Sequence, residues 1–219
     1  MARKTTFSRD DIETAALGVL EREGLAAVTA RRVADALGSS TAPVYSNFAS
    51  MDDLVAAVLA RASRLIVGYC RRQWSDDPFL DMGIGFVHFA AEHPQLYRAL
   101  YLDSDLGRHG DAHVFATLLQ DLDDHPYLGA LPADHKNELL FQVSIYTLGI
   151  ATTVVTGMWP DPDFADVERW LRSVGGLLTR ASLESAGLPV PAELDRRLGE
   201  FVVPWRHPAC SEPEDTSHE

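Results

Sequence analysis

This chain lacks the features that define disulfide-rich, secreted and membrane proteins. It has only two cysteines, Cys70 and Cys210, which lie far apart and have no metal-ligand spacing. We therefore expect no disulfide scaffold and no metal site, and a reducing cytoplasm as the compartment. The N-terminus has no long apolar stretch, and no run of about 18 apolar residues occurs, so neither a secretory signal nor a membrane-spanning segment is expected.

The chain also lacks an excess of basic residues. It contains 19 Lys and Arg against 32 Asp and Glu, which gives a net charge of −13 at pH 7. The acidic excess is uneven, because residues 1–50 hold six basic and six acidic side chains and are neutral. A neutral segment with clustered cations can approach phosphates while an acidic body faces away.

No arrangement of residues typical of catalysis is present. The sequence offers no paired carboxylates, no nucleophile elbow and no glycine-rich loop between a strand and a helix. Gly83 and Gly85 resemble part of such a loop but lie inside a helical pattern. We therefore expect a protein that is not an enzyme and that needs no cofactor.

Apolar residues recur with helical spacing along most of the chain, and no segment shows clean alternation. An all-α fold is therefore predicted. Ser8, Thr29, Ser40 and Ser50 are predicted to cap the first four helices. Later helices are predicted over residues 79–92, 95–102, 110–122, 134–157 and 162–186, with a last short one at 191–200.

Residues 29–48 are the most informative segment, because they read as two short helices joined by a tight turn at Gly38. Val33, Ala34 and Leu37 form the inner face of the first helix. Val44 and Phe48 are expected to point inward from the second. This arrangement is typical of a helix-turn-helix that places its second helix in the major groove of DNA.

These residues resemble the DNA-binding domain of the tetracycline-repressor (TetR) family of bacterial regulators. The resemblance rests on the helix over 29–37, the Leu37-Gly38 turn, residues 40–48, and Ser50 with Asp52-Asp53-Leu54. It implies a homodimer in which a helical body binds a small molecule and moves two DNA-reading helices. Two departures stand out: Met51 occupies a position where the family often has Lys, and residues 40–47 contain no Arg or Lys.

The resemblance and the helix register together predict the residues that contact DNA. Exposed hydroxyls and amides can bond phosphates or base edges, and an Ala methyl can meet a thymine methyl. For Tyr45 a role as a core aromatic stays open, for Ser40 a role as helix cap, and for the arginines simple solvation. The predicted set is Arg31, Arg32, Ser40, Thr41, Ala42, Tyr45, Ser46 and Asn47.

The helical body is predicted to hold a largely apolar ligand chamber between its helices. Gln142 and Tyr146 lie four residues apart and can orient a ligand from one helix face. Plain core packing is the alternative for every member of the set. The candidates are Phe86, Phe89, Tyr97, Phe115, Leu119, Gln142, Tyr146 and Trp159.

The last two long helices are predicted to form a homodimer interface as a four-helix bundle. Small residues with four-residue spacing on the first helix permit close approach, and the second carries an apolar stripe. Packing of the stripe on its own chain is the alternative. The predicted set is Gly149, Thr153, Gly157, Val174, Leu177, Leu178 and Ala181.

These observations predict three regions and one main function. A helix-turn-helix domain is expected over residues 1–50, a ligand-binding and dimerisation domain over 51–203, and a disordered acidic tail over 204–219. The expected function is a dimeric, ligand-responsive regulator, most simply a repressor, which a small molecule releases from a palindromic operator of double-stranded DNA. The alternative is a small-molecule-binding co-regulator that acts through protein contacts and has little affinity for DNA.

Overall fold

The computed structural model describes residues 7–103 and 107–194. This part of the chain contains nine α-helices, three single 3-10 turns and no strand, so the all-α prediction is confirmed. The predicted tail over 204–219 and most of the predicted helix over 191–200 lie outside the described residues. The helices are α1 (Arg9–Glu23), α2 (Ala30–Ala36), α3 (Ala42–Asn47), α4 (Met51–Cys70), α5 (Pro78–Glu92), α6 (Pro94–Tyr101), α7 (Gly107–Asp121), α8 (Ala133–Val155) and α9 (Phe164–Ser185).

Three of the four predicted N-terminal caps are confirmed. Ser8 forms a capping box with Asp11, Thr29 accepts from the Arg32 amide, and Ser50 accepts from the Asp53 amide. The cap predicted at Ser40 is wrong, because α3 begins at Ala42 after Thr41 and has no side-chain cap. A cap at Ser40 would bind the amide three residues on, but that residue is Pro43, which has no N–H.

Two predicted boundaries in the body also differ from the structure. The last long helix starts at Phe164, where Asp163 accepts from the Ala165 amide at 2.9 Å, and not at Pro162. α8 ends at Val155, so Gly157 lies in the following turn at φ +76°. A glycine adopts this left-handed angle at little cost, which explains its position just after the helix.

The N-terminal helices α1, α2 and α3 enclose a small apolar core. Ile12, Leu20, Val33, Val44 and Phe48 are all buried there. The turn between α2 and α3 uses Gly38 at φ +62°. α4 packs against α1 on one side and against α5 and α7 on the other, so it joins this domain to the body.

Close packing in the body begins where α5 crosses α4. A Cβ atom added to Gly85 would lie 2.2 Å from the Tyr69 carbonyl oxygen, so only glycine permits this approach.

Asp77 caps α5 by accepting from the Phe79 amide at 2.9 Å. Burial alone would raise the pKa of Asp77, but hydrogen bonds from His125 and from backbone amides outweigh it and lower that pKa. α8 then packs on both α5 and α9.

Candidate nucleic-acid interface and ligand cavity

The short helix α3 has one anchored face and one open face. Val44 and Phe48 are 1% and 2% exposed, which confirms that they point inward. Tyr45, one residue from Val44, is 61% exposed. The helix therefore presents a tyrosine to solvent from a rigid support.

The short polar side chains of α3 lie on or beside the open face. Ser40, Ala42 and Ser46 are exposed, and Thr41 and Asn47 are half-buried. The Ser46 hydroxyl and the Asn47 amide both donate to the Pro43 carbonyl, at 3.0 and 2.9 Å. These two side chains are thus oriented by their own helix, and their oxygen atoms can still accept hydrogen bonds.

The predicted cations lie at the start of α2, and both are exposed. Arg32 forms an ion pair with Glu23 at 3.1 Å. The first turn of α2 is also partly satisfied, because Thr29 accepts from the Arg32 amide at 3.3 Å. Contact of Arg32 with a phosphate would therefore compete with Glu23.

Arg9 is a structural residue of this region that the sequence analysis missed. Its guanidinium lies 4.0 Å from the centroid of the Phe48 ring and donates to the Asn47 carbonyl at 3.1 Å. A second branch lies 3.4 Å from an Asp53 oxygen. Arg9 therefore ties the end of α3 to α1 and α4. Its place as the first residue of α1 carries no sequence signal of this role.

A second polar cluster connects the N-terminal domain to the body. The ring of His93, between α5 and α6, donates from Nδ1 to Glu21 of α1, and its Nε2 lies 3.1 Å from the Tyr69 hydroxyl. The Tyr69 hydroxyl donates to Glu92. Burial, together with the neighbouring Glu92 carboxylate, raises the pKa of Tyr69. Three helices, α1, α4 and α5, and the residue that links α5 to α6 therefore meet at one hydrogen-bonded junction between the two regions.

The body contains a cavity of ≈ 140 Å³ between α5, α7 and α8. α5 contributes Phe79, Met82, Gly83 and Phe86, and α7 contributes Val114, Phe115 and Leu118. Tyr101 of α6 also lines it. The wall formed by α8 includes Phe141, Ser144, Ile145, Thr147 and Leu148.

Two of the eight predicted ligand residues, Phe86 and Phe115, line this cavity. Phe89 and Tyr97 are fully buried in the core instead. The Tyr97 hydroxyl donates to the Leu148 carbonyl at 3.2 Å, and burial raises the pKa of Tyr97 to about 12.

The other four predicted ligand residues do not line the cavity either. Leu119, Tyr146 and Trp159 are half-buried, and the rings of Trp159 and Trp170 lie 4.8 Å apart, tilted by 33° to each other. Gln142 is exposed and donates to Glu138. Gln142 and Tyr146 are two positions from Ser144 and Leu148, which is about 200° around a helix, so they face away from the cavity.

The residues predicted for a dimer interface lie mostly on open surface. Leu177 is 56% exposed, and Gly149 and Ala181 are exposed too. Val174, Leu178 and Thr153 are half-buried. Gly157 follows α8 in a turn, so it is not part of the helical stripe as predicted.

In the described ranges no three His, Cys, Asp or Glu side chains form a group that could hold a metal ion. α8 is long and apolar enough to cross a membrane by length and composition, with a mean hydropathy of 1.4, which the sequence analysis did not expect. The same helix packs on α5 and α9, and core helices of soluble proteins pass this test as well.

Comparison with known proteins gives matches at the level of domain and fold. A family model for bacterial regulatory proteins of the tetR family matches residues 12–58. The uncharacterized HTH-type transcriptional regulator Rv0681 of Mycobacterium tuberculosis is 32% identical over 103 residues, covering 45% of this chain and 47% of that protein. The chain thus matches about half the length of this curated relative.

Solved structures extend the likeness over most of the chain. A tetR-family transcriptional regulator from Streptomyces coelicolor is similar with a TM-score of 0.63 and 19% identity, covering 94% of this chain and 90% of that one. SmeT, the repressor of the Stenotrophomonas maltophilia multidrug efflux pump SmeDEF, has a TM-score of 0.51 and 19% identity, covering 93% of this chain and all of that one. Residues 12–58 therefore form a domain similar to that of the tetR family of bacterial regulatory proteins, and the chain has a helical fold like that of solved tetR-family regulators.

Proposed function

We propose that this protein is a dimeric transcription regulator that binds a palindromic operator and is released from it by a small molecule. The observation that supports this proposal best is the open face of α3. Tyr45 is exposed on this face, while Val44 and Phe48 are buried on the opposite side of the helix. A short helix held in this way in a helix-turn-helix is suited to the major groove. Such a protein acts in the cytoplasm, where its operator is.

DNA contact in this proposal combines phosphate binding by Tyr45 and the α2 arginines with contacts from the small side chains of α3. Hydroxyl and amide groups position a protein on the DNA backbone, and base edges are read by the side chains that reach into the groove. The predicted contacts are Arg31, Arg32, Ser40, Thr41, Ala42, Tyr45, Ser46 and Asn47. Two copies related by a twofold axis would read half-sites about 34–36 Å apart.

The dimer and the ligand site are proposed on the body. The exposed apolar side of α9 around Leu177 offers a surface that a second copy can cover. The cavity between α5, α7 and α8 offers a place for the effector. SmeT, which has the same fold, is a repressor, and this supports repression as the mode of action.

Replacing Tyr45 and Arg32 together tests the proposal directly. The Tyr45→Phe/Arg32→Ala variant should lose affinity for DNA from upstream of its own gene by at least about tenfold, because it loses a phosphate hydrogen bond and a cation. Its affinity should also depend less steeply on salt. Fluorescence anisotropy with labelled DNA, repeated at salt concentrations between about 50 and 200 mM, measures both the affinity and its salt dependence.

The matched control is Tyr146→Phe/Arg64→Ala, which changes the same residue types outside α2 and α3. It should bind DNA like the unmodified protein. Equal affinity of both double variants would overturn the assignment of the reading surface.

A co-regulator that acts through protein contacts is the second candidate. It is favoured by the absence of Lys and Arg from residues 40–47 and by the pairing of Arg32 with Glu23. Complete absence of DNA retention at low salt, with the dimer and ligand binding intact, would support this candidate.

A further inference from the structure

The cavity between α5, α7 and α8 is lined mainly by apolar side chains. Aromatic rings of Phe79, Phe86 and Phe115 form much of its wall, and Phe86 packs edge-on against Tyr101 at 5.4 Å. No Asp, Glu, Lys, Arg or His is present among the described residues that line it. A charged ligand would therefore lose its hydration without gaining a counter-ion.

The wall carries three hydroxyl groups, and those of Ser144 and Thr147 are already committed as donors. Ser144 donates to the Leu140 carbonyl at 2.6 Å, and Thr147 donates to the Val143 carbonyl at 2.9 Å. Each oxygen retains a lone pair and can accept one hydrogen bond. The wall thus favours a ligand that donates a hydrogen bond and disfavours a carboxylate, which can only accept.

The nearest charged side chains face a separate, smaller cavity. Asp77 and Arg172 line that space, which shares Phe79, Gly83 and Val143 with the apolar cavity. Asp77 is bonded to backbone amides of α5, and Arg172 is paired with Glu168 at 2.6 Å. Both charged groups therefore have their own partners, and neither lines the larger cavity.

The volume limits the size of the occupant. A cavity of about 150 Å³ lined by Leu, Ile and Phe holds benzene. The cavity here is ≈ 140 Å³, and its opening is bordered by Phe141 and Ile145, which are 55% and 57% exposed. Both the chamber and its entrance therefore suit a small apolar molecule.

We propose that this cavity binds an uncharged, compact molecule with one aromatic ring or a hydrocarbon unit of equal size, carrying at most one hydroxyl or similar donor. This inference rests on the proposed function, because it names the chemical class of the effector that the proposed regulator would bind. Selectivity comes from the chemistry of the wall, whose described residues include neither a cation for an acid nor a carboxylate for an amine.

Three probes of one shape and different charge test this directly: benzyl alcohol, benzoate and benzylammonium. Isothermal titration calorimetry on the full chain measures binding without DNA. Benzyl alcohol should bind at least about tenfold more tightly than either ion, a difference of 1.4 kcal/mol or more at about 298 K. Equal or tighter binding of either ion would overturn the proposal.

Two variants locate the binding site. Val114→Phe fills the cavity from α7 and should weaken benzyl alcohol binding at least about tenfold, since the volume is lost. Ser144→Asp adds a carboxylate and should raise the affinity for benzylammonium at least about tenfold. Ala116→Asp, on the exposed side of α7, is the matched control and should leave the ranking unchanged.

The outcomes separate this inference from the proposed function. If no probe binds while the protein retains its upstream DNA, the ligand class is overturned and the regulator stands. If benzyl alcohol binds as expected but no DNA is retained, the ligand class stands and the regulator is overturned. Because the ranking is measured on the unmodified chain, a variant that fails to fold does not remove the test.

Discussion

The N-terminal domain and the helical body bury their cores in the same way but leave different groups at the surface. Between residues 7 and 50, the described part of the N-terminal domain, Tyr45 is the one large apolar side chain that is strongly exposed. The body exposes Phe141, Ile145, Met158 and Leu177. A polar surface with one tyrosine suits a hydrated, charged partner, whereas exposed aliphatic groups suit an apolar ligand or a second copy of the chain.

The two regions also differ in how they are held together. In the small domain a single side chain, Arg9, contacts the ends of three helices. In the body, the helices are held together by the close backbone packing at Gly85 and by the contacts of the long helix α8 with α5 and α9. The junction of Glu21, His93 and Tyr69 connects the two. Directly bonded groups therefore link the body to α1.

The largest expected effect comes from the core behind α3. Phe48→Ala should lower the free energy of unfolding by about 3–5 kcal/mol, because Phe48 is 2% exposed and its loss leaves a cavity. Phe115→Ala in the body should cost only about 1–2 kcal/mol, since Phe115 is half-buried beside an existing cavity. Urea unfolding followed by circular dichroism measures both. Equal losses would show that the cavity wall is packed as tightly as the small core.

A change on the exposed side of α9 should have the next largest effect. Leu177→Arg should convert the proposed dimer to a monomer, because it places a charge in an apolar interface. Operator affinity should then fall by about 100-fold, since two half-sites are no longer bound by one particle. Light scattering after gel filtration and anisotropy with operator DNA measure the two effects. Leu65→Arg, at an exposed leucine of α4, is the control, and dissociation by that variant alone would place the interface elsewhere.

The smallest expected effect concerns the balance of charge in the N-terminal domain. Glu23→Gln releases Arg32 from its ion pair and should raise operator affinity about two- to threefold. The salt dependence should steepen by about one unit, because one more cation meets a phosphate. Asp52→Asn, at an exposed residue that forms no ion pair in the described part of the chain, makes the same change in net charge without touching Arg32. An identical gain in both variants would show that overall charge, and not Arg32, is responsible.

Local patterns were sufficient to predict most of the fold. Helical spacing predicted each long helix to within a few residues, and Ser8, Thr29 and Ser50 were correctly identified as caps. The prediction at Ser40 failed for a local reason that the sequence already contained, namely Pro43 at the position whose amide a cap would bind. The inward orientation of Val44 and Phe48 also followed from spacing alone.

The ligand cavity was much less predictable. Met82, Tyr101, Ser144 and Thr147 line it without having been identified, whereas the fully buried Phe89 and Tyr97 had been proposed. A sequence shows which residues are apolar but not which helix face is left without a neighbour. The distinction between core and cavity depends on how α7 approaches α5 and α8.

The order of apolar and polar residues by itself determined that this chain is helical, that it begins with a helix-turn-helix and that α3 turns its tyrosine outward. These properties arise from interactions between residues a few positions apart, which a linear sequence records directly. Only the tertiary structure decided that Arg9 joins three helices, that His93 bridges the two regions and that the cavity wall lacks charge among its described residues. These contacts join residues distant in the chain, so they exist only once the helices have packed.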